Sequence, residues 1–435
     1  MTVSTVDKER TEAVFEDFKP AYSHGQALSE ANRCLFCADA PCIKACPTGI
    51  DIPQFIRKIS TENVKASAKT IFDANILGMS CARVCPVETL CVGDCVYNHM
   101  DEPPIQIGKL QRYATDIAYA EDWRFFRAGA DTGKSVALVG AGPASLACAH
   151  ELRRHGHACT IYDKRAVVGG LNTTGVAPYK MRAERSEAEA AWILGIGGIE
   201  IEYGVEIGAN KSWDALLEAH DAMFVGVGLG PDHWLDVPGR DLEGVVGAVD
   251  FIERFKPGTV ELAAVKSAVV VGGGNTAIDA VRELVGLGIP SVTMVYRGVE
   301  DKMSGYAHEW NAAKQEGVVA SFRSQPLAFE GEGHVTGVRC AVLDDAKQPT
   351  GLQRVIAADL VLLAIGQAKL EGLLAELGGV TFERGRVVVD EAQATTRKGV
   401  WAGGDCANGG KEVVNAADEG KRAAQAIDAF LKGAG

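Results

Sequence analysis

Eight of the 12 cysteines lie between Cys34 and Cys95, and this clustering constrains the chain more than any other feature. The first residues are charged and lack the apolar run of a secretory signal, which predicts a cytoplasmic protein. Disulfide frameworks are typical of small secreted chains, whereas crowded cysteines in a reducing compartment more often bind metal. The N-terminal part is therefore predicted to hold a metal ion or a metal cluster.

The spacing of these cysteines favours iron–sulfur clusters. Residues 34–47 read CxxC-x4-C-x3-CP, and residues 81–95 read CxxxCP-x5-CxxxC. Thiolates are the usual ligands of such clusters, and a proline directly after Cys46 and after Cys85 turns the chain, as in bacterial ferredoxins. Structural zinc is the alternative, but a typical zinc site uses two CxxC pairs separated by a moderate loop.

Eight cysteines suit two [4Fe–4S] clusters with four thiolates each. A helical pattern of apolar residues over residues 51–74 joins the two cysteine runs. Spacing alone does not assign each cysteine to a cluster, because a cysteine of one run often ligates the other cluster.

A first dinucleotide-binding pattern follows at residues 135–163. A short apolar strand runs into Gly140-Ala-Gly142-Pro-Ala-Ser145 and then a helix, and a second strand ends at Asp163. Such a turn lets a pyrophosphate approach the backbone at the helix N-terminus, and the acid binds a ribose diol. This unit favours FAD.

The pattern recurs at residues 267–297 with one chemical difference. The glycine turn here is Gly272–Ala277, and the next strand ends in Arg297 instead of an acid. An arginine can meet a 2′-phosphate or stack on adenine, so this unit favours a nicotinamide nucleotide.

The C-terminal segment 396–405 resembles the second FAD fingerprint of flavoproteins with two dinucleotide domains, and Gly169-Gly170 matches their glycine doublet. We therefore predict an α/β chain in which an N-terminal all-α iron–sulfur domain precedes two Rossmann-like domains, with the NAD domain inserted into a discontinuous FAD domain. The predicted bounds are 1–125 for the iron–sulfur domain, 133–250 with 385–435 for the FAD domain, and 251–384 for the NAD(P) domain.

Several functions are disfavoured by composition. The net charge of −13 argues against nucleic-acid binding, which needs a basic surface, and no apolar stretch approaches the roughly 20 residues of a membrane span.

No side chain is predicted to be catalytic, since hydride transfer is carried by the flavin. The four remaining cysteines are isolated and are predicted to pack in the core: Cys148, Cys159, Cys340 and Cys406.

Together with the segment 104–115, these motifs resemble the glutamate synthase small-subunit family over nearly the whole chain. Residues 37–42, 90–95 and 107–111 are most similar to its dihydropyrimidine dehydrogenase branch. The resemblance implies a subunit that takes hydride from NADH onto FAD and passes electrons through two [4Fe–4S] clusters. It implies a hetero-oligomer with an FMN- and [4Fe–4S]-containing (β/α)8-barrel partner that reduces uracil or thymine.

The resemblance also implies the site residues. One cluster would be held by Cys34, Cys37, Cys42 and Cys95. The other would be held by Cys46, Cys85, Cys91 and a glutamine oxygen at Gln111, which leaves out Cys81, a residue that spacing alone would include. The FAD positions are Gly140, Gly142, Ala144, Ser145, Asp163, Gly170, Leu171, Lys180, Gly404, Asp405, Val413 and Val414. The nucleotide positions are Gly273, Gly274, Asn275, Thr276, Arg297 and Gly366.

One difference from the family bears on whether the nucleotide is NADH or NADPH. The NADPH-using mammalian enzyme has basic residues at the positions of Gly298 and Ser304, and a 2′-phosphate is best bound by more than one cation. We therefore predict NADH over NADPH. The alternatives are an NADPH-dependent glutamate synthase small subunit, an electron-bifurcating or hydrogenase-linked subunit, and a redox-sensing cluster scaffold that binds a partner without turnover.

Overall fold

The computed structural model describes residues 10–256 and 258–433. Residues 1–9 of the predicted iron–sulfur domain lie outside the described residues. The rest of that domain is helical, with 3-10 turns at Thr11–Val14, Val87–Thr89 and Val96–Met100. Its helices are α1 (His24–Asn32), α2 (Pro41–Lys44), α3 (Ile52–Ser60), α4 (Val64–Ala74), α5 (Gly78–Val84) and α6 (Ile107–Ala120).

The helical pattern predicted over residues 51–74 forms two helices instead of one. Glu62 adopts a left-handed conformation with φ of 60°, which ends α3. The Asn63 side chain then accepts a hydrogen bond of 3.2 Å from the Ala66 backbone N–H and starts α4. The break folds the two helices against each other, and both bury their apolar faces in one core.

The first Rossmann-like unit contains a five-stranded parallel sheet in the order β15-β4-β1-β2-β3, in which the edge strand β15 is Val400–Ala402. Its strands are flanked by helices, as expected for strands that are buried on both faces. The elements are β1 (Ser135–Val139), α7 (Pro143–Arg154), β2 (Ala158–Asp163), α8 (Leu171–Thr174), α9 (Ala183–Leu194), β3 (Ile199–Tyr203), α10 (Trp213–Ala219) and β4 (Ala222–Val225).

The second unit contains a parallel sheet in the order β5-β12-β6-β7-β8 and an antiparallel sheet in the order β11-β10-β9. The antiparallel sheet was not predicted, because it carries no nucleotide motif. The elements are β5 (Val245–Gly247), α11 (Ala248–Phe255), β6 (Ser267–Val271), α12 (Asn275–Gly286), β7 (Ser291–Val295), the 3-10 turn Glu300–Lys302, α13 (Ala307–Gln315), β8 (Val319–Ser321), β9 (Ser324–Glu332), β10 (His334–Leu343), β11 (Pro349–Ala357) and β12 (Leu360–Leu363).

The remaining elements return to the first unit. They are α14 (Glu371–Ala375), β13 (Phe382–Glu383), β14 (Arg386–Val387), β15 (Val400–Ala402), α15 (Asp405–Asn408) and α16 (Val413–Leu431). The helix α16 packs along α7. No helix in the described part of the chain is both long and apolar enough to cross a membrane.

The packing of the two units places both ends of the inserted domain earlier in the chain than the predicted bounds 251 and 384. The strand β5 pairs with β12 of the second sheet, although it lies before the predicted boundary at residue 251. At the other end, Leu374 and Leu377 pack with Val139 and Met223 in the core of the first unit, before the predicted return at residue 385. Sequence did not reveal either difference, because a three-residue strand and a five-residue helix have no distinctive periodicity.

Candidate redox-cofactor sites

Cys34, Cys37, Cys42 and Cys95 line one small cavity that opens to solvent. Apolar side chains, among them Ile56, form the rest of its wall. Among residues 10–256 and 258–433, no three His, Cys, Asp or Glu side chains are spaced to hold a single metal ion. Four soft donors around a cavity fit the donor set of a [4Fe–4S] cluster.

A second group of thiols comprises the buried Cys85 and Cys91 and the partly exposed Cys46. Cys46 and Cys85 both lie close enough to Cys91 to interact with it electrostatically. Gln111 is buried, and its side-chain Nε2 donates a hydrogen bond of 2.7 Å to the Gly78 carbonyl. This hydrogen bond fixes the amide nitrogen on the Gly78 carbonyl, so the amide oxygen is the atom of Gln111 that could bind iron.

Cys81 has its own partners within the protein. The Asn75 side chain donates a hydrogen bond of 3.1 Å to the Cys81 sulfur, and Cys81 lies beside Cys85. A sulfur that ligates a cluster also accepts hydrogen bonds of this kind, so the omission of Cys81 from the ligand sets stays a prediction.

Burial makes these thiols poor acids in the protein alone. It raises the pKa of Cys42 to about 12 and also raises the pKa values of Cys34, Cys85 and Cys91, although the neighbour Cys81 has the larger effect on Cys85. Cluster ligation requires thiolates, so the positive charge of iron would have to offset this burial.

The predicted FAD turn brings two backbone loops into contact. Gly140 has φ of 95°, and Gly142 is the N-cap of α7. Gly170, at φ of 54°, approaches so closely that a Cβ there would lie 2.9 Å from the Gly142 Cα. The N-terminus of α7 therefore meets two loops of bare backbone, the arrangement that a pyrophosphate needs.

Asp163 lies at the end of β2, as predicted, but both of its oxygens have backbone partners. They accept hydrogen bonds of 2.7 Å from the N–H groups of Ala141 and Arg165. The carboxylate thus holds the glycine turn in shape, and its role toward a ribose stays a prediction.

Small residues bring α16 against this turn. A Cβ on Gly420 would lie 2.1 Å from the Ala144 carbonyl oxygen, and one on Gly404 would lie 3.2 Å from the Ala144 Cβ. The buried Ser145 hydroxyl has no hydrogen-bond partner in the described part of the protein. Glu419 accepts a hydrogen bond of 2.6 Å from the Gly404 N–H.

The remaining FAD positions lie beside that junction. Burial raises the pKa of Asp405, which follows Gly404 at the start of α15. Val413 and Val414 begin α16 directly after its N-cap, Glu412. Leu171 begins α8 after Gly170.

Lys180 lies between the two units. Its Nζ is 2.8 Å from Asp279 Oδ1 and 2.7 Å from Glu309 Oε1, and both carboxylates belong to the second unit. These ion pairs raise its pKa against the opposing effect of burial. Sequence reasoning placed Lys180 among the FAD positions but missed its two partners, which belong to no motif.

The predicted nucleotide positions surround the start of α12. Gly274 is its N-cap, followed by Asn275 and Thr276, and Gly273 packs under the Tyr296 ring. Arg297 is exposed at the end of β7, and Gly366 follows β12 with its carbonyl bonded to the His233 N–H at 2.8 Å.

Tyr306 connects this nucleotide unit to the flavin unit and was also missed from sequence. Its backbone N–H donates a hydrogen bond of 2.9 Å to Asn275 Oδ1. Its hydroxyl donates one of 2.8 Å to Glu412 Oε1, at the N-cap of α16.

Comparison with known proteins matches the N-terminal and C-terminal parts of the chain to two different family models. Residues 10–123 match the model of the dihydropyrimidine dehydrogenase domain II, 4Fe–4S cluster, and residues 134–420 match that of the pyridine nucleotide-disulphide oxidoreductases. The NAD-dependent dihydropyrimidine dehydrogenase subunit PreT of Escherichia coli is 35% identical, covering 96% of this chain and 98% of that protein. The glutamate synthase [NADPH] small chain of Escherichia coli is 34% identical over 96% of this chain and 94% of its own.

This chain belongs to the glutamate synthase small-subunit-like family. It is an NAD(P)H-dependent oxidoreductase of the FAD and iron–sulfur type. Solved structures share the fold of its two Rossmann-like units. FprA of Mycobacterium tuberculosis has a TM-score of 0.57 at 19% identity, covering 69% of this chain and 85% of its own. T. acidophilum thioredoxin reductase has a TM-score of 0.53 at 22% identity, with coverage of 69% and 99%.

Proposed function

We propose that this chain is the electron-input subunit of a cytoplasmic NAD-dependent dihydropyrimidine dehydrogenase. It accepts hydride from NADH and delivers electrons to an FMN- and [4Fe–4S]-containing (β/α)8-barrel subunit that reduces uracil or thymine to the 5,6-dihydropyrimidine. When bound, FAD and two [4Fe–4S] clusters supply the redox chemistry, converting one hydride transfer into single-electron steps. The side chains bind, orient and insulate these cofactors.

The proposal assigns the cysteines as the family resemblance does. One cluster takes Cys34, Cys37, Cys42 and Cys95, and the other takes Cys46, Cys85, Cys91 and Gln111. The observation that carries the proposal is the meeting of Cys95 with three cysteines of the first run around one cavity. One cluster would thus take ligands from both cysteine runs, as is usual in proteins with two clusters.

The preference for NADH rests on the surroundings of Arg297. A side chain at Gly298 would start 2.6 Å from the Tyr296 ring, so the position next to Arg297 is closed to a second basic residue. Ser304 is exposed and uncharged. Neither Gly298 nor Ser304 therefore supplies the second cation with which a 2′-phosphate is best bound.

A two-stage experiment tests the proposal. The purified chain, loaded with FAD and iron–sulfur clusters, is mixed with NADH or NADPH and a dye acceptor, and we expect steady turnover with NADH at the higher kcat/KM. It is then combined with the FMN subunit encoded in the same cells, and we expect NADH-dependent loss of uracil. Absence of dye reduction by the loaded chain would contradict the proposal.

The second candidate is an NADPH-dependent glutamate synthase small subunit, which the 34% identity to that chain of Escherichia coli favours. It predicts the opposite nucleotide preference and recovery from cells with a glutamine-dependent partner. Purification of the native complex separates the two candidates directly.

A further inference from the structure

The helix that leads to Cys85 is capped by the other domain. The N-cap residue of α5, Leu77, offers no side-chain hydrogen bond. Instead Glu189, on α9 of the first Rossmann-like unit, accepts hydrogen bonds of 3.0 Å from the Met79 N–H and 3.1 Å from the Ser80 N–H. Helices are usually capped by a neighbouring Ser, Thr, Asp or Asn, so a cap from a distant glutamate ties two domains together.

The Ser80 hydroxyl extends this connection to the predicted flavin loop. It donates a hydrogen bond to Glu189 and accepts one of 3.2 Å from the Asn172 side chain. Asn172 lies two residues after Gly170, within α8. All three side chains are buried, with at most 2% of their surface exposed.

The same turn of α5 also contacts the second predicted cluster site. The Gly78 carbonyl accepts the hydrogen bond from Gln111, and the helix ends at Cys85. One short helix thus has the predicted flavin loop on one side and two predicted cluster ligands on the other.

We propose that Glu189 and Ser80 are positioning residues that hold α5 against the flavin loop and so set how fast electrons pass from the FAD site to the second cluster. The inference rests on the proposed function. Electron transfer between buried centres slows steeply as their separation grows, so a loosened α5 slows this step. Removal of Glu189 leaves two buried helix N–H groups without an acceptor, which displaces the helix end.

The test compares Glu189→Ala, Glu189→Gln and Ser80→Ala with Ser67→Ala as the matched control. Ser67 and Ser80 are both fully buried serines of the helical domain. The Ser67 hydroxyl, however, donates only to the Phe55 carbonyl, at 2.8 Å, within that domain.

FAD reduction and cluster reduction are followed separately by rapid-mixing absorbance in the fully loaded chain. We expect FAD reduction at the wild-type rate in every variant. Cluster reduction should slow tenfold or more in Glu189→Ala and Ser80→Ala, recover in part in Glu189→Gln, and stay unchanged in Ser67→Ala. Hydrogen exchange of residues 78–84 should rise in the same two slow variants, a readout independent of turnover.

Electrons are supplied in parallel by illumination with EDTA, which reduces the bound flavin without a nucleotide. If NADH does not reduce the FAD but light does, the proposed function is contradicted. The rate of cluster reduction after illumination still tests the inference in that case. Cluster reduction that keeps pace with FAD reduction in folded Glu189→Ala and Ser80→Ala would overturn the inference.

Discussion

Glu12 Oε2 lies 3.9 Å from Lys256 Nζ, and neither side chain is exposed to solvent. Glu12 also accepts a hydrogen bond of 2.9 Å from the Ala183 N–H. The Lys256 ammonium donates to the carbonyls of Val176 and Met181, at 2.6 and 2.9 Å. The N-terminal segment therefore ties the flavin unit to the nucleotide unit through a buried ion pair.

Glu12 also lies 2.5 Å, through Oε1, from the Nε of the buried Arg10. Glu12→Gln should destabilise the protein by about 3–5 kcal/mol, because it removes the carboxylate that faces both buried cations, Lys256 and Arg10. The free energy of unfolding in urea measures this cost. Glu16→Gln, at an exposed acid of the same segment, serves as the control and should change stability by at most about 0.5 kcal/mol. Equal effects of the two substitutions would contradict the buried pair.

Gly170→Ala should weaken FAD binding tenfold or more, because its Cβ would push against the Gly142 backbone. Gly133 provides the matched control, since it has φ of 68° and open space around it. Gly133→Ala carries the cost of a positive-φ alanine, about 1–2 kcal/mol, and Gly170→Ala, at φ of 54° and ψ of −138°, costs at least as much, but only Gly170→Ala should lose flavin. FAD content after dialysis distinguishes them, and retention of flavin in Gly170→Ala would rule out the proposed cradle.

Iron content tests the ligand sets. The loaded wild type should contain about eight iron atoms per chain, as two [4Fe–4S] clusters require. Cys81→Ser should keep that content, Cys85→Ser should approach half of it, and Cys340→Ser, at a fully buried cysteine outside the helical domain, is the control. A loss of iron in Cys81→Ser would show that the spacing argument for eight thiolates was the better one.

Ser304→Arg should raise kcat/KM for NADPH about tenfold, because it adds a second cation beside the predicted nucleotide turn. A Cβ on Gly274 would lie 3.5 Å from the Ser304 hydroxyl, which locates this position at the turn. Ser304→Gln controls for side-chain bulk, and kcat/KM for NADH should change little in either variant. A wild-type preference for NADPH would contradict the underlying assignment.

His150 should make stability pH-dependent. Burial, with Arg154 and Lys421 nearby, lowers its pKa from 6.5 to about 3. Between these values the unfolded chain binds a proton that the folded chain does not, so stability falls as the pH falls below 6.5.

At about pH 5.5 this penalty is about 1.4 kcal/mol relative to about pH 8. His150→Gln removes it, so the difference in unfolding free energy between wild type and variant should shift by that amount between the two conditions. His334→Gln, at an exposed histidine, is the control. An unchanged difference for His150→Gln would show that His150 ionises in the folded protein.

Sequence alone determined the order of the three modules and the positions of the glycine turns. Each of these features is local: a cysteine spacing, a strand that runs into Gly140–Ser145, or an arginine at the end of β7. Local sequence also predicted that the FAD unit is interrupted, because its second fingerprint follows the nucleotide unit.

Which groups meet across those modules depends on the three-dimensional packing. Lys180 pairs with Asp279 and Glu309, and Glu189 caps α5, although no motif links these residues. Buried charges and helix ends take whatever partner the packing brings within hydrogen-bonding distance, and that choice depends on contacts far apart in the chain. The same dependence on distant contacts applies to the grouping of the cysteines. Their spacing predicted clusters, whereas the fold brought Cys95 to the cavity of the first run.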